Sequence, residues 1–139
     1  MESTAGAQPV CLFLVGLSES FARSLARYVS GDPRVALTGV APSLALATML
    51  LPITRPDVAL LDWSMLGTTF PAALRQLRAG RPGLRVICVA SETETYRAAA
   101  AQAGADAVIS KDALAGELHP LLHSFFPERF APATRGLTK

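Results

Sequence analysis

At 139 residues the chain has the length of one domain and can bury a core without disulfides or a metal. Half of its residues are hydrophobic and 17% are charged, which excludes a globally disordered chain. The formal charge of +2 is too small to mark a nucleic-acid surface, and no apolar run reaches the ~20 residues of a membrane span.

Residues 1–9 are polar and small, lack a basic secretory start, and read as a disordered N-terminus of a cytoplasmic protein. Residues 10–15 form a continuous apolar run ending at Gly16, the pattern of a strand buried on both faces. Ser18 offers an N-cap, and Phe21, Leu25 and Val29 recur at helical spacing until Gly31 and Pro33. A second short strand, residues 35–40, precedes a helix opened by Pro42-Ser43, carrying Leu44, Leu46, Leu50 and Leu51, and closed by Pro52 and Pro56. Residues 58–62 form a third strand that ends on the carboxylate of Asp62. Pro71 suits the first turn of a helix bearing Leu74 and Leu77, and residues 85–90 form the fourth strand. Ser91 and Glu94 have the spacing of a capping box for an alanine-rich helix that stops at Gly104. Residues 107–110 form the fifth strand, and Asp112 can cap a last helix bearing Leu114, Leu118, Leu121, Leu122 and Phe125. Pro120 should kink that helix, or else the helix begins only near His119.

Five strand–helix repeats with strands too apolar for a solvated face imply an α/β fold, a parallel sheet covered on both sides. Ligands of such sheets gather at the carboxyl ends of the strands. Gly16-Leu17, Asp62, Ala90-Ser91 and Lys111 all follow strand ends and should cluster on that edge. The bare residues leave other readings open. Asp62 and Lys111 could be a structural pair that closes the sheet end. Gly16 could begin a mononucleotide site, although Gly16-Leu17-Ser18-Glu19-Ser20 is not glycine-rich and Glu19 would repel phosphate. His119 and His123, four apart, could share a metal, but with no third ligand nearby exposed surface is the better reading. Trp63 reads as a packing residue. Nothing is spaced as a catalytic triad or metal cluster, so no enzymatic turnover is expected.

The stretch Arg55-Pro56-Asp57-Val58-Ala59-Leu60-Leu61-Asp62 resembles the third strand of response-regulator receiver domains, whose terminal Asp accepts a phosphoryl group. Gly104-Ala105-Asp106-Ala107-Val108-Ile109-Ser110-Lys111-Asp112-Ala113 is similar to the strand that carries the family's lysine, in the form seen in the NarL/LuxR subgroup. The resemblance covers residues 10–126 and implies a doubly wound, CheY-like (βα)5 sheet of strand order 2-1-3-4-5. That order separates Cys11 from Cys88 by a strand, about 9–10 Å, so a disulfide is not expected. By the same resemblance Asp62 is the phosphoacceptor equivalent and Lys111 the family's lysine. The family's acid pair, which holds Mg²⁺ with the acceptor and a backbone carbonyl, here Ser64's, falls on Gly16 and Leu17. Its phosphate-sensing hydroxyl falls on Ala90, with Ser91 adjacent, and its aromatic switch on Val108. The proline and glycine that follow the acceptor become Leu66 and Phe70.

These departures lead to the expectation of an atypical receiver that signals without phosphorylation, with weak or absent Mg²⁺ binding, no other cofactor, and a direct Asp62–Lys111 ion pair. The alternatives are a working phosphoacceptor with a substituted metal site and a flavodoxin-like module for a small ligand. Residues 127–139 read as a linker whose Leu137-Thr138-Lys139 resembles the entry to a helix-turn-helix domain, through which alone DNA would be bound. The expected partners are a second copy, through helices 1, 4 or 5 with Tyr28, Leu121 and Phe125 contributing, and a small-molecule or protein regulator, but no membrane.

Overall fold

The computed structural model describes residues 8–63, 69–91 and 93–130. Five parallel strands, β1 (Val10–Val15), β2 (Val35–Ala41), β3 (Val58–Asp62), β4 (Arg85–Ala90) and β5 (Ala107–Ser110), form one sheet in the order β2-β1-β3-β4-β5. The helices are α1 (Glu19–Val29), α2 (Leu44–Thr54), α3 (Phe70–Gly80), α4 (Thr93–Ala103) and α5 (Leu114–Phe125), followed by a 3-10 turn, Pro127–Arg129. Among the described residues, no helix is long and apolar enough to cross a membrane.

Successive strand residues point to opposite faces, so each buried strand feeds two core layers. From β1, Leu12 and Leu14 join Leu25, Val29, Leu118 and Leu122 beneath α1 and α5. Phe13 and Val15 join Leu51, Leu61, Phe70, Leu74 and Leu77 beneath α2 and α3. One irregularity lies at the sheet edge. Leu12 pairs with Leu37 but Phe13 with Gly39, so Thr38 is an extra residue, and its hydroxyl donates to the Leu12 carbonyl at 3.1 Å. Glycine follows because the Phe13 ring occupies the space that a Cβ at 39 would need.

Local signals place the helices. Ser18 accepts from the Phe21 N–H at 3.1 Å and Ser43 from the Leu46 N–H at 3.2 Å, each satisfying an orphan donor of a first turn. Gly104, at φ 105°, ends α4 in a conformation that favours glycine.

Three expectations need correction. Pro52 does not close α2: it lies on the exposed side, and the helix continues to Thr54 with Leu51 buried and Arg55 as a left-handed cap. A proline in the last turn forfeits one hydrogen bond, which the buried leucine and the cap outweigh. Asp112 is not the cap of α5. That position is Ala113, while the Asp112 N–H donates to Ser110 Oγ at 3.1 Å. Nor does α5 start at His119; it runs unbroken through Pro120 from Leu114, whose side chain is buried, as is that of Leu118. Both cysteines are free, Cys88 buried and Cys11 half-buried.

Packing also continues past Phe126. Phe130 is only 5% exposed and lies in the layer beneath α1 and α5. Arg129 donates to the carbonyls of Gln8 and Pro9, at 3.2 and 2.9 Å, and to Asp57 Oδ2 at 3.0 Å. Asp57 Oδ2 in turn accepts from the Cys11 N–H at 2.9 Å, so the end of the described chain is clasped to its beginning.

Candidate functional site

The carboxyl edge of the sheet brings the predicted residues together. Val15 pairs with Leu61, so Gly16 comes level with Asp62. Asp62 pairs with Val89, and Ala90 with Ser110, which places Lys111 one residue beyond β5 beside Ala90 and Ser91. Asp62 is 4% exposed, and Lys111 Nζ lies 3.2 Å from its Oδ2. The half-buried lysine thus places a positive charge beside a carboxylate held in a poorly hydrated place. Behind it, burial first and then the Asp62 charge push the Cys88 thiol up to about 12. Cys88 is therefore inert core rather than a nucleophile.

Gly16 and Leu17, where the resemblance would place the family's acid pair, have structural tasks of their own. Gly16 has φ 77°, a left-handed conformation in which an L side chain is strained, and its N–H donates to the Ala41 carbonyl at 2.9 Å. Leu17 is 6% exposed and packs into the layer beneath α1 and α5. Glu19, the nearest spare carboxylate, is 91% exposed at its side chain and turns to Arg23 at 3.9 Å. Among the described residues no three acidic, histidine or cysteine side chains converge as metal ligands. Ser64 and Leu66 lie outside the described residues. Mg²⁺ prefers several oxygens in near-octahedral order, and one carboxylate already paired with an ammonium does not fit it.

The residues that the resemblance would align with the family's switch are packed in the same way. Ala90 is buried, Ser91 is exposed, and Val108 is a buried aliphatic residue packed with Ala100 in the layer beneath α2 and α3. Trp63 is half-buried between Phe70 and Tyr96, each ring centroid 5.0 Å away, which is a packing arrangement.

His119 departs from the expected exposed position. Its Nδ1 lies 2.8 Å from Tyr28 Oη, which itself donates to the Ala115 carbonyl at 2.6 Å, and its Nε2 lies 3.0 Å from Asp32 Oδ2. This network ties α1 to α5, so Tyr28 is engaged within the domain. Leu121 and Phe125 are likewise half-buried against the core. His123 is exposed and stacks on Phe130 at 4.1 Å.

Arg34 donates to Asp32 from Nε at 3.0 Å, from Nη2 at 3.1 Å and from its backbone N–H at 2.9 Å. The guanidinium hydrogen bond, chiefly, holds the Asp32 carboxyl at about 2 against an ordinary 3.8. A folded-state value below the unfolded one means that this contribution is complete above about pH 4 and disappears as pH falls toward about 2. The stability difference between wild type and Asp32→Asn should therefore shrink over that interval. A difference that stays constant in acid unfolding titrations would contradict this assignment.

Asp57 and Asp106, although inside the motifs that carry the resemblance, sit at the opposite edge of the sheet. Asp106 accepts from Arg78 at 2.7 Å and from the Val86 N–H at 2.8 Å, fastening the start of β5 to β4 and α3. The structural role of both residues is not evident from the motifs alone. Their position before a strand, not after it, was the available signal.

Comparison with known proteins agrees with this architecture. The family described as the response regulator receiver domain matches residues 15–123. The DNA-binding transcriptional activator DevR/DosR of Mycobacterium tuberculosis is 34% identical over 110 residues, which are 78% of this chain and 51% of that protein. The chain thus spans about half the length of this curated relative. The signal receiver domain of the putative response regulator NarL from the same organism superposes with a TM-score of 0.71 at 25% identity, covering 85% of this chain and 97% of that one. The response regulator domain of Thermotoga maritima CheB superposes with a TM-score of 0.72 at 21% identity, over 90% of this chain and all of that one, a likeness of fold.

Proposed function

We propose, from the premise that this chain belongs to the response regulator receiver domain family, that it is an atypical receiver acting without phosphorylation. In this reading it is a cytoplasmic regulator that turns over no substrate and works through protein–protein contacts. One observation carries it: the end of β1 offers a left-handed glycine and a buried leucine beside Asp62, whose carboxylate is already paired with Lys111.

Phosphoryl transfer depends on positioning and on cations that neutralise developing charge. A bound metal supplies several kcal/mol of that stabilisation, so a site that holds none transfers slower by several orders of magnitude. A buried valine at 108 has no ring to reorient, and Ala90 has no hydroxyl to follow a phosphoryl group. The resting edge is therefore the signalling conformation.

The relative described as a DNA-binding transcriptional activator is about twice as long as the matched region. By analogy the chain serves as the receiver part of a transcriptional regulator, with DNA contacted by another domain and the receiver governing self-association or partner access. Incubation with Mg²⁺ and acetyl phosphate, followed by intact mass measurement, should leave the chain unmodified, and beryllofluoride should not shift its melting temperature. Stoichiometric modification at Asp62 would overturn the proposal.

A further inference from the structure

Outward faces of the helices differ in one respect. α1 presents Glu19, Arg23 and Arg27, α3 presents Arg75, and α4 presents Arg97 with alanines. α5 presents Ala115, Gly116, Glu117, Pro120, His123 and Ser124, with no large apolar side chain. α2 carries no charge along its whole length, Leu44–Thr54. Its inner side buries Ala47 and Leu51, while its outer side leaves Met49 69%, Ile53 76% and Leu46 36% exposed. Among the described residues these are three of the four exposed large hydrophobics, the fourth being Val40 on β2.

We infer that this α2 face is an interface for a second copy of the chain, the two helices packing antiparallel about a two-fold axis at Met49. Three features select that occupant. Leu46 precedes Met49 by three residues and Ile53 follows by four, so both lie on its side of the helix at about 4.5 and 6 Å along the axis. Antiparallel packing therefore sets Ile53 of one copy against Leu46 of the other, with Met49 on Met49, a self-complementary arrangement. Residues near a two-fold axis also face their own twins, so a helix without charge avoids like-charge pairs there. Finally, an acidic partner or an anionic lipid surface calls for lysine or arginine on the contacting helix, and α2 has neither.

The stripe amounts to a few hundred Å², short of the ~800 Å² per partner of a standard interface. The dimer is accordingly weak, with a dissociation constant in the micromolar range or above. This places self-association on α2 and not on the helices 1, 4 or 5 expected from sequence, where Tyr28, Leu121 and Phe125 are occupied inside the domain. It does not rest on the chemistry of Asp62. A monomeric chain would end this inference and leave the phosphorylation-independent reading standing.

Sedimentation velocity of the whole chain, from micromolar to millimolar concentration, tests it. A concentration-dependent dimer is expected, with association weakened about a hundredfold or more by Met49→Lys with Ile53→Lys, since two cations then meet at the axis and two more are buried against Leu46 of the opposite copy. Under mild oxidation Met49→Cys should cross-link to itself, and Ser124→Cys on α5 should not. Four results would overturn the inference: a monomer at every concentration, a dimer indifferent to the double substitution, cross-linking through position 124 alone, or a monomer that binds phosphatidylglycerol vesicles through the same two residues.

Discussion

Ending the chain after Phe126 should lower its stability by about 4 kcal/mol and its melting temperature by about 15 °C. The sequence invites such a cut, because the last amphipathic helix ends there and Pro127 begins a stretch rich in proline, glycine and charge. Phe130, however, is 5% exposed in the layer beneath α1 and α5, with His123 stacked on its ring and the Arg34 guanidinium 5.0 Å from its centroid. Removing a buried phenylalanine costs about 3 kcal/mol once the cavity is included. Arg129 contributes the remainder through the clasp to Asp57 and the Gln8 and Pro9 carbonyls, a partly buried charged bond worth about 1 kcal/mol. Urea titration of the cut chain checks the total. Phe130→Ala in the full chain should reproduce about three quarters of it, and a loss below about 0.5 kcal/mol would show that these residues do not hold the fold.

The strands and the starts of α1 and α2 were legible because they rest on local chemistry, whereas the strand order came only through the family resemblance. Apolar runs of five or six residues, serine caps at 18 and 43, and Gly104 are signals that tertiary packing did not need to override. The errors came from residues whose environment is set elsewhere in the chain. Pro52 looked like a stop because the burial of Leu51 is invisible locally. His119 looked solvated because Tyr28 and Asp32, its partners, are 91 and 87 residues away. Phe130 looked like linker for the same reason. At the site, the pairing of Asp62 with Lys111 was anticipated from charge logic, whereas the left-handed backbone of Gly16 was not, because no local signal in the sequence announces it.

That conformation bears on how the edge would respond to restored acids. Carboxylates placed at Gly16→Asp and Leu17→Asp should destabilise the chain by about 4 kcal/mol in metal-free buffer. Strain of about 1 kcal/mol is expected at φ 77°, and about 3 kcal/mol for exchanging a buried leucine for a poorly hydrated carboxylate near Asp62. Millimolar Mg²⁺ should return part of that loss. The three carboxylates would then form a hard-oxygen site, and a ligand bound only to the folded state stabilises it by about 2.7 kcal/mol at a hundredfold excess over its dissociation constant. Wild type, with one carboxylate paired to Lys111, should show no such response, and neither should Leu17→Asn, which carries a similar packing defect without the charge. Melting temperatures of the three proteins across a Mg²⁺ titration separate the cases. A flat response from the doubly substituted chain would mean that positions 16 and 17 do not face Asp62. A metal-dependent rise in wild type would mean that other oxygens complete its site, and the edge would then be open to phosphoryl chemistry after all.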